Sequence, residues 1–215
     1  MLNLQLQLEC PMREPNLISS LFSMSDEQAM WRVQTADDHH AFARLVEKWE
    51  QPIFRLCARM IGDSHRAEDL KQEAFSRVFA KRKEYQPSSK FSTWLWRIAL
   101  NLCYDELRKK QRYSKYLAES SSEAPNQSEE ELASNEPTPF LRVVQNEESE
   151  LVRKALLKLD RDVRTVVVLR FCEGLKFREI AELLDTPEST INSRVAVGLA
   201  RLTRILEPEF GSRNA

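Results

Sequence analysis

Apolar residues return at helical intervals along most of the chain. From Ala41 to Ile61 they fall at Phe42, Leu45, Val46, Trp49, Ile53, Leu56, Cys57 and Met60, a one-sided helix with a break expected near Pro52. Gly62-Asp63-Ser64 reads as a stop followed by a cap. A second helix is predicted from about His65 to Arg82, with Leu70, Ala74 and Val78 on one face, widened by Phe75 and Phe79. Tyr85 to Lys90 is a loop. Ser92 or Thr93 is placed to cap a third helix, from Trp94 to about Gln111. The period resumes at Glu147, through Leu151, Ala155, Leu156, Leu159, Val163, Val166, Val167 and Phe171, and stops at Gly174. Two shorter helices follow. Upstream, Met24-Ser25-Asp26-Glu27 looks like a helix start, capped by Ser25 or Asp26. Residues 1–24 have no helical period. They are expected to be a disordered extension, with Met24 a second candidate for the initiator.

Tyr113 to Asn146 breaks the pattern. It is rich in Ser, Glu, Pro and Asn, with Ser120-Ser121-Ser122 and Glu129-Glu130-Glu131. Such a stretch buries too little apolar surface to offset its ordering entropy, so a flexible linker is predicted. As a random coil it spans roughly 35 Å, about one turn of B-DNA. The expected fold is therefore all-α. Two small helical domains, over 25–112 and 147–206, are joined by an acidic linker over 113–146, and a short tail covers 207–215.

Composition agrees. Glycine occurs only 4 times in 215 residues, which disfavours phosphate-binding loops and turn-dense sheets. The net charge of −1 conceals a segregation. Residues 25–112 carry 17 Lys and Arg against 13 Asp and Glu, residues 113–150 carry 2 against 9, and residues 151–215 carry 12 against 9. Two mildly basic blocks flank an acidic one. No apolar run approaches the ~18–20 residues that span a bilayer, and Met1 to Cys10 lacks the basic start of a signal peptide. A cytoplasmic protein is expected. Cys10, Cys57, Cys103 and Cys172 are scattered, and His39, His40 and His65 have no metal-like spacing to them. Reduced thiols and no metal or other cofactor are the expectation.

The C-terminal pair of helices carries a motif. Phe177 to Leu184 is amphipathic, Asp185-Thr186-Pro187 is a tight turn, and Glu188 to Val195 opens the next helix. Ile180, Ala181 and Leu184 are set to face Ile191 and Val195 across the turn. This is the pattern of a helix-turn-helix, or of a plain helical hairpin in a bundle. The second helix offers Glu188, Ser189, Thr190, Asn192, Ser193 and Arg194 at its outward start, where recognition helices reach base edges and phosphates. In the first domain, Asp69, Gln72, Glu73 and Ser76 form a polar stripe, either a solvated face or carboxylates offered to a partner's Arg and Lys. Asp69 and Glu73 have no third ligand nearby, which makes a metal role poor. The third helix carries Trp94, Arg97, Asn101, Tyr104 and Arg108 along one stripe and ends in Arg108-Lys109-Lys110-Gln111-Arg112. That mixture suits phosphates and unstacked bases, or core packing with a basic helix end.

Taken together and in this order, these segments resemble a sigma factor of the extracytoplasmic-function subfamily of the sigma-70 family. The resemblance covers about residues 26–112 and 147–206. Ala41 to Val46 resembles the first helix of the family's region 2 domain. Gly62-Asp63 with Ala67 to Phe75 resembles its core-polymerase-binding motif, Phe91 to Asn101 its promoter-melting and −10 segment, and Arg164 to Arg194 its region 4, or −35, domain. The resemblance implies a protein that is not an enzyme, binds core RNA polymerase and promoter DNA, and is held in check by an anti-sigma factor. It implies polymerase contacts at Asp69, Leu70, Gln72, Glu73, Phe75 and Ser76. It implies −10 contacts at Ser88, Ser89, Lys90, Phe91, Ser92, Thr93, Arg97, Asn101, Tyr104, Arg108 and Lys109. For the −35 element it implies Lys176, Arg178, Glu188, Ser189, Thr190, Asn192, Ser193 and Arg194. The helix from Asn192 to Arg201 is less basic than is usual in the family, and Gly198 inside it weakens it, so an electrostatically lean −35 helix is expected. A stand-alone helix-turn-helix regulator, which needs no polymerase surface, is the competing reading.

Overall fold

The computed structural model describes residues 24–120 and 147–211. All of the predicted extension over 1–24 except Met24, and most of the predicted linker over 113–146, namely 121–146, lie outside the described residues, as do 212–215. The described chain is helical, without a strand.

The first four helices are α1 (Asp26–Ala36), α2 (His39–Ile61), α3 (Ser64–Ala80) and α4 (Phe91–Ser120), with a 3-10 turn at Arg82–Glu84. Each start has a local cause. The Ser25 side chain accepts from Gln28 N while Gln28 reaches back to Ser25 N, a capping box. Asp38 accepts from the backbone of His40 and Ala41, and Asp63 from that of Arg66. Gly62 ends α2 in the left-handed region, at φ +83°. Pro52 does not break α2. Leu45 before it and Ile53, Leu56, Cys57 and Met60 after it are all buried on one side, and that burial outweighs the roughly 3 kcal/mol cost of an internal proline. Helix α4 begins at Phe91, so Ser92 and Thr93 lie within its first turn rather than capping it. It runs to Ser120, past the predicted end at Gln111, because no Gly or Pro follows until Pro125.

The second set comprises α5 (Glu147–Leu157), α6 (Arg161–Val167) continued by a π-helical turn at Val168–Cys172, α7 (Phe177–Leu184) and α8 (Glu188–Gly211). Asp185, at φ 48°, turns the chain between α7 and α8, and Thr186 N donates back to Ala181 O at 3.0 Å. Ile180 and Leu183 pack with Ile191 and Val195, all buried, while Ala181 and Leu184 are only half-buried. The seven-residue α6 packs along α8 at Gly198, where a Cβ would lie 2.5 Å from Val167 Cγ2.

The two sets do not stand apart. α2 meets α5, α6 and the π turn, and α7 lies against α4. One apolar core runs from Met30, Leu45, Leu56 and Leu95 on one side to Leu156, Val167, Leu169 and Ile180 on the other.

Candidate nucleic-acid interface

The loop before α4 is held from behind. Tyr85 is buried and its hydroxyl donates to Ser89 O at 2.7 Å. Gln34 Nε2 donates to the carbonyls of Lys83 and Tyr85. Glu27 accepts from Phe91 N at 3.2 Å, so a carboxylate from α1 caps α4. These bonds leave Ser88, Ser89 and Lys90 on the surface, with Ser92 and Thr93 half-buried. Phe91 is a correction to the expected DNA face. It is 0% exposed and packs edge-on to Tyr85 and Trp94, as a core residue. Beyond it Arg97 and Asn101 are exposed, while Tyr104 is half-buried with its hydroxyl 3.0 Å from Thr165 Oγ1. Arg108 pairs with Asp105, and Lys109 lies 4.0 Å from Glu106.

The stripe on α3 divides in the same way. Asp69, Gln72, Glu73 and Ser76 are exposed. Leu70 and Phe75, expected at the polymerase surface, are 4% and 6% exposed and belong to the core. Asp69 pairs with Arg66, Gln72 donates to Glu68, and Glu73 accepts from Arg77. Arg66 bridges to Glu106 on α4 at 2.7 Å, and that guanidinium holds the Glu106 carboxyl below the usual carboxylate range. Asp69 and Glu73 thus line an open groove of about 780 Å³ whose other wall is a basic stretch of α4, with Arg108, Lys109 and Arg112.

On the helix-turn-helix unit, Glu188, Ser189, Asn192 and Ser193 are exposed at the start of α8, and Thr190 is half-buried. Ser193 Oγ donates to Ser189 O, and Arg194 sits 3.9 Å from Asp162. Lys176 and Arg178 are exposed at the start of α7, with Arg178 pairing along the helix to Glu182. The −35 candidates therefore lie at two helix starts, those of α7 and α8, with Thr190 and Arg194 half-buried.

Sequence reasoning missed the residues that join the two sets. Glu173, with its side chain 2% exposed, meets Arg59 at 3.0 Å and Arg55 at 3.6 Å. Burial pushes its carboxyl up, and the two arginines oppose that rise. Arg164 is buried and donates to four carbonyls, those of Leu156, Leu157 and Leu159 at the end of α5 and of Met60 in α2. Arg153 donates to Gly62 O. A buried arginine satisfied by carbonyls has no sequence signal, since its partners are backbone atoms. Among the described residues no cluster of three or more metal-ligating side chains occurs, and Cys57, Cys103 and Cys172 are not joined in disulfides.

Comparison with known proteins adds to this geometry. A family model described as Sigma-70 region 2 matches residues 45–113, and one described as Sigma-70, region 4 matches residues 149–202. The chain is 36% identical over 169 residues to the ECF RNA polymerase sigma factor SigW of Bacillus subtilis, covering 79% of this chain and 90% of that one. It is 29% identical over 183 residues to the RNA polymerase sigma-H factor of Pseudomonas aeruginosa, covering 85% and 94%. Two solved structures share the fold at 22% identity. One is the sigma factor RpoE in complex with the anti-sigma factor NepR from Bartonella quintana, at a TM-score of 0.61 over 77% of this chain and 96% of that one. The other is CnrH in complex with the cytosolic domain of CnrY, at 0.62 over 85% and 97%.

Proposed function

The chain belongs to the extracytoplasmic-function family of RNA polymerase sigma factors, and from that premise we propose how its faces divide the work. As a sigma factor it binds core RNA polymerase and promoter DNA and directs promoter-specific initiation. In this reading residues 25–112 form the polymerase-binding and −10 domain, and residues 147–206 the −35 domain. Asp69, Gln72, Glu73 and Ser76 engage the polymerase. Lys90, Arg97, Asn101 and Tyr104, with the loop from Ser88, take the −10 strand, and the exposed start of α8 takes the −35 element. Bases pulled from the stack cost a few kcal/mol each, which a shaped and basic surface offsets for the right sequence. The chain supplies no catalytic group and acts in the cytoplasm, where the polymerase does the chemistry. An anti-sigma protein is a further partner, on the likeness to the two solved complexes.

The observation that carries the reading is the α3–α4 groove, open to solvent with Asp69 and Glu73 on one wall and a basic stretch of α4 on the other. Paired carboxylates at such a rim suit an arginine-rich protein partner. A pull-down on immobilised core polymerase tests it. The wild type is expected to be retained, and Asp69→Ala/Glu73→Ala to weaken retention about tenfold, some 1.4 kcal/mol. Equal retention of the two proteins would overturn the assignment of this face of α3 to the polymerase.

A further inference from the structure

Cys57 of α2 and Cys103 of α4 stand 46 positions apart in the chain and side by side in the core of the first set of helices. Cys103 Sγ donates to Cys57 Sγ at 3.7 Å, and both residues are 0% exposed. Leu56 and Met60 are their buried neighbours along α2, and Ala99, Leu100 and Leu102 along α4. As packing alone, either position asks only for a small apolar side chain. Two thiols in contact add a chemistry that packing does not need. No third ligand joins them among the described residues, so that chemistry lies between the two sulfurs rather than with a metal. The surroundings keep the pair protonated. The hydrogen bond to Cys57 comes first, and burial second, in pushing the Cys103 thiol up.

We propose that Cys57 and Cys103 are a dithiol–disulfide couple, oxidised by a peroxide to a bond that staples α2 to α4. One sulfur, as its thiolate, attacks an oxygen of hydrogen peroxide. The O–O bond breaks, a sulfenic acid forms, and the other oxygen leaves as hydroxide and takes up the thiol's proton as water. The second sulfur then attacks the sulfenic sulfur. The S–S bond forms, the S–O bond breaks, and a second water leaves with the second thiol's proton. The two sulfurs together lose two electrons and the peroxide gains two. Native packing selects the pair, since the 3.7 Å gap closes to the roughly 2.0 Å of an S–S bond by turning the two side chains and drawing the helices slightly together. Burial sets the order of events. Solvent reaches neither sulfur while the helices are packed, so oxidation follows local opening of this core. Once formed, the bond closes a loop of 46 positions and narrows the unfolded ensemble. The oxidised chain is therefore harder to unfold than the reduced one.

The experiment uses the full chain, as wild type and as Cys10→Ser/Cys172→Ala, which retains only the pair. Each is treated with hydrogen peroxide in native buffer, digested, and mapped by mass spectrometry without reduction. Both are expected to give an intramolecular cross-link between Cys57 and Cys103 that dithiothreitol reverses. The urea midpoint of the oxidised form is expected to rise by at least about 0.5 M over that of the reduced form. Cys57→Ala is expected to lose the cross-link and the rise together, and Cys103→Ala repeats the test from the other helix. The proposal is overturned if the wild-type thiols stay reduced, or if they pass to sulfinic or sulfonic acid with no cross-link. Cross-links to Cys10 or Cys172 in place of the pair overturn it too, as does a bond that forms only in the urea-unfolded chain. A native cross-link that leaves the urea midpoint unchanged keeps the couple and overturns the staple.

Discussion

Gly198 lies in the middle of α8, where glycine costs about 1 kcal/mol relative to alanine. Read from the sequence, it is a weakness in a recognition helix. In the structure it is the point of closest approach between α6 and α8. A Cβ there would lie 2.5 Å from Val167 Cγ2 and 3.0 Å from Val163 Cγ1. Val167 is itself buried and β-branched, with little room to turn. Gly198→Ala is therefore expected to destabilise despite the better helix former, by about 1 kcal/mol net, since overpacking costs roughly 1–3 kcal/mol. Urea denaturation checks it, and a variant as stable as the wild type would show that the two helices move apart freely. Tyr85 acts on the other half of the molecule. Its phenol is pushed up to about 12, by burial first and then by Glu27 and Asp26. The unfolded chain releases that proton near pH 10, so the contribution is full below 10 and is lost as pH rises towards 12. Burial pushes the Tyr104 phenol up as well, so spectrophotometric titration is expected to show more than one late tyrosinate step, of which Tyr85→Phe removes one. Persistence of that step in the variant would assign it elsewhere.

The helices differ in how far their ends were legible. Starts governed by a neighbour in sequence were open to reading, as with Ser25 and Gln28 at α1. The start of α4 was not, because its cap is Glu27, 64 positions away. The effect of Pro52 was also hidden, since only packing on both sides of it keeps α2 whole. The outer polar positions of α3 followed from the helical period, but a motif includes core residues as well as surface ones, and Leu70, Phe75 and Phe91 proved to be core. Least legible were helix ends closed from another element. Arg164 closes the end of α5 and ties it to Met60 O of α2, without an acidic partner in hydrogen-bond reach. Desolvation lowers its pKa from the ordinary arginine value. Arg164→Met leaves buried carbonyls unpaired at two helix ends, and a loss of about 3 kcal/mol or more is expected. Arg164→Lys is expected to recover little of it, since a single ammonium cannot span four carbonyls. Thermal denaturation followed by circular dichroism measures both, and wild-type stability in the methionine variant would refute this role.

At the scale of the whole molecule, periodicity and charge segregation divide the chain into two basic helical blocks with an acidic stretch between them, as the two family matches do. They carry no information about whether the blocks touch. The polar contacts that join them are long-range, and several run from a side chain to a carbonyl, such as Arg97 with Leu183 or Arg164 with Met60. This closed arrangement treats the two assigned partners differently. It covers the α4 face meant for the −10 strand but leaves the α3–α4 groove open. Polymerase can therefore engage first, on a surface available in either form. A sigma factor whose two DNA-reading units are packed together cannot reach two separate promoter elements at once, so the assembled form must be the open one. Polymerase stabilises that form only if it binds it more tightly than the closed form. Adding core polymerase to the chain carrying a fluorophore pair at the exposed positions 43 and 200, one in each set of helices, is thus expected to lengthen the distance between them without any DNA present. The Asp69→Ala/Glu73→Ala variant, with about tenfold weaker retention, is expected to keep the short distance at polymerase concentrations that open the wild type. A distance that stays short in the wild-type complex until promoter DNA is added would instead make DNA the opening ligand, and would place polymerase binding entirely on the first set of helices.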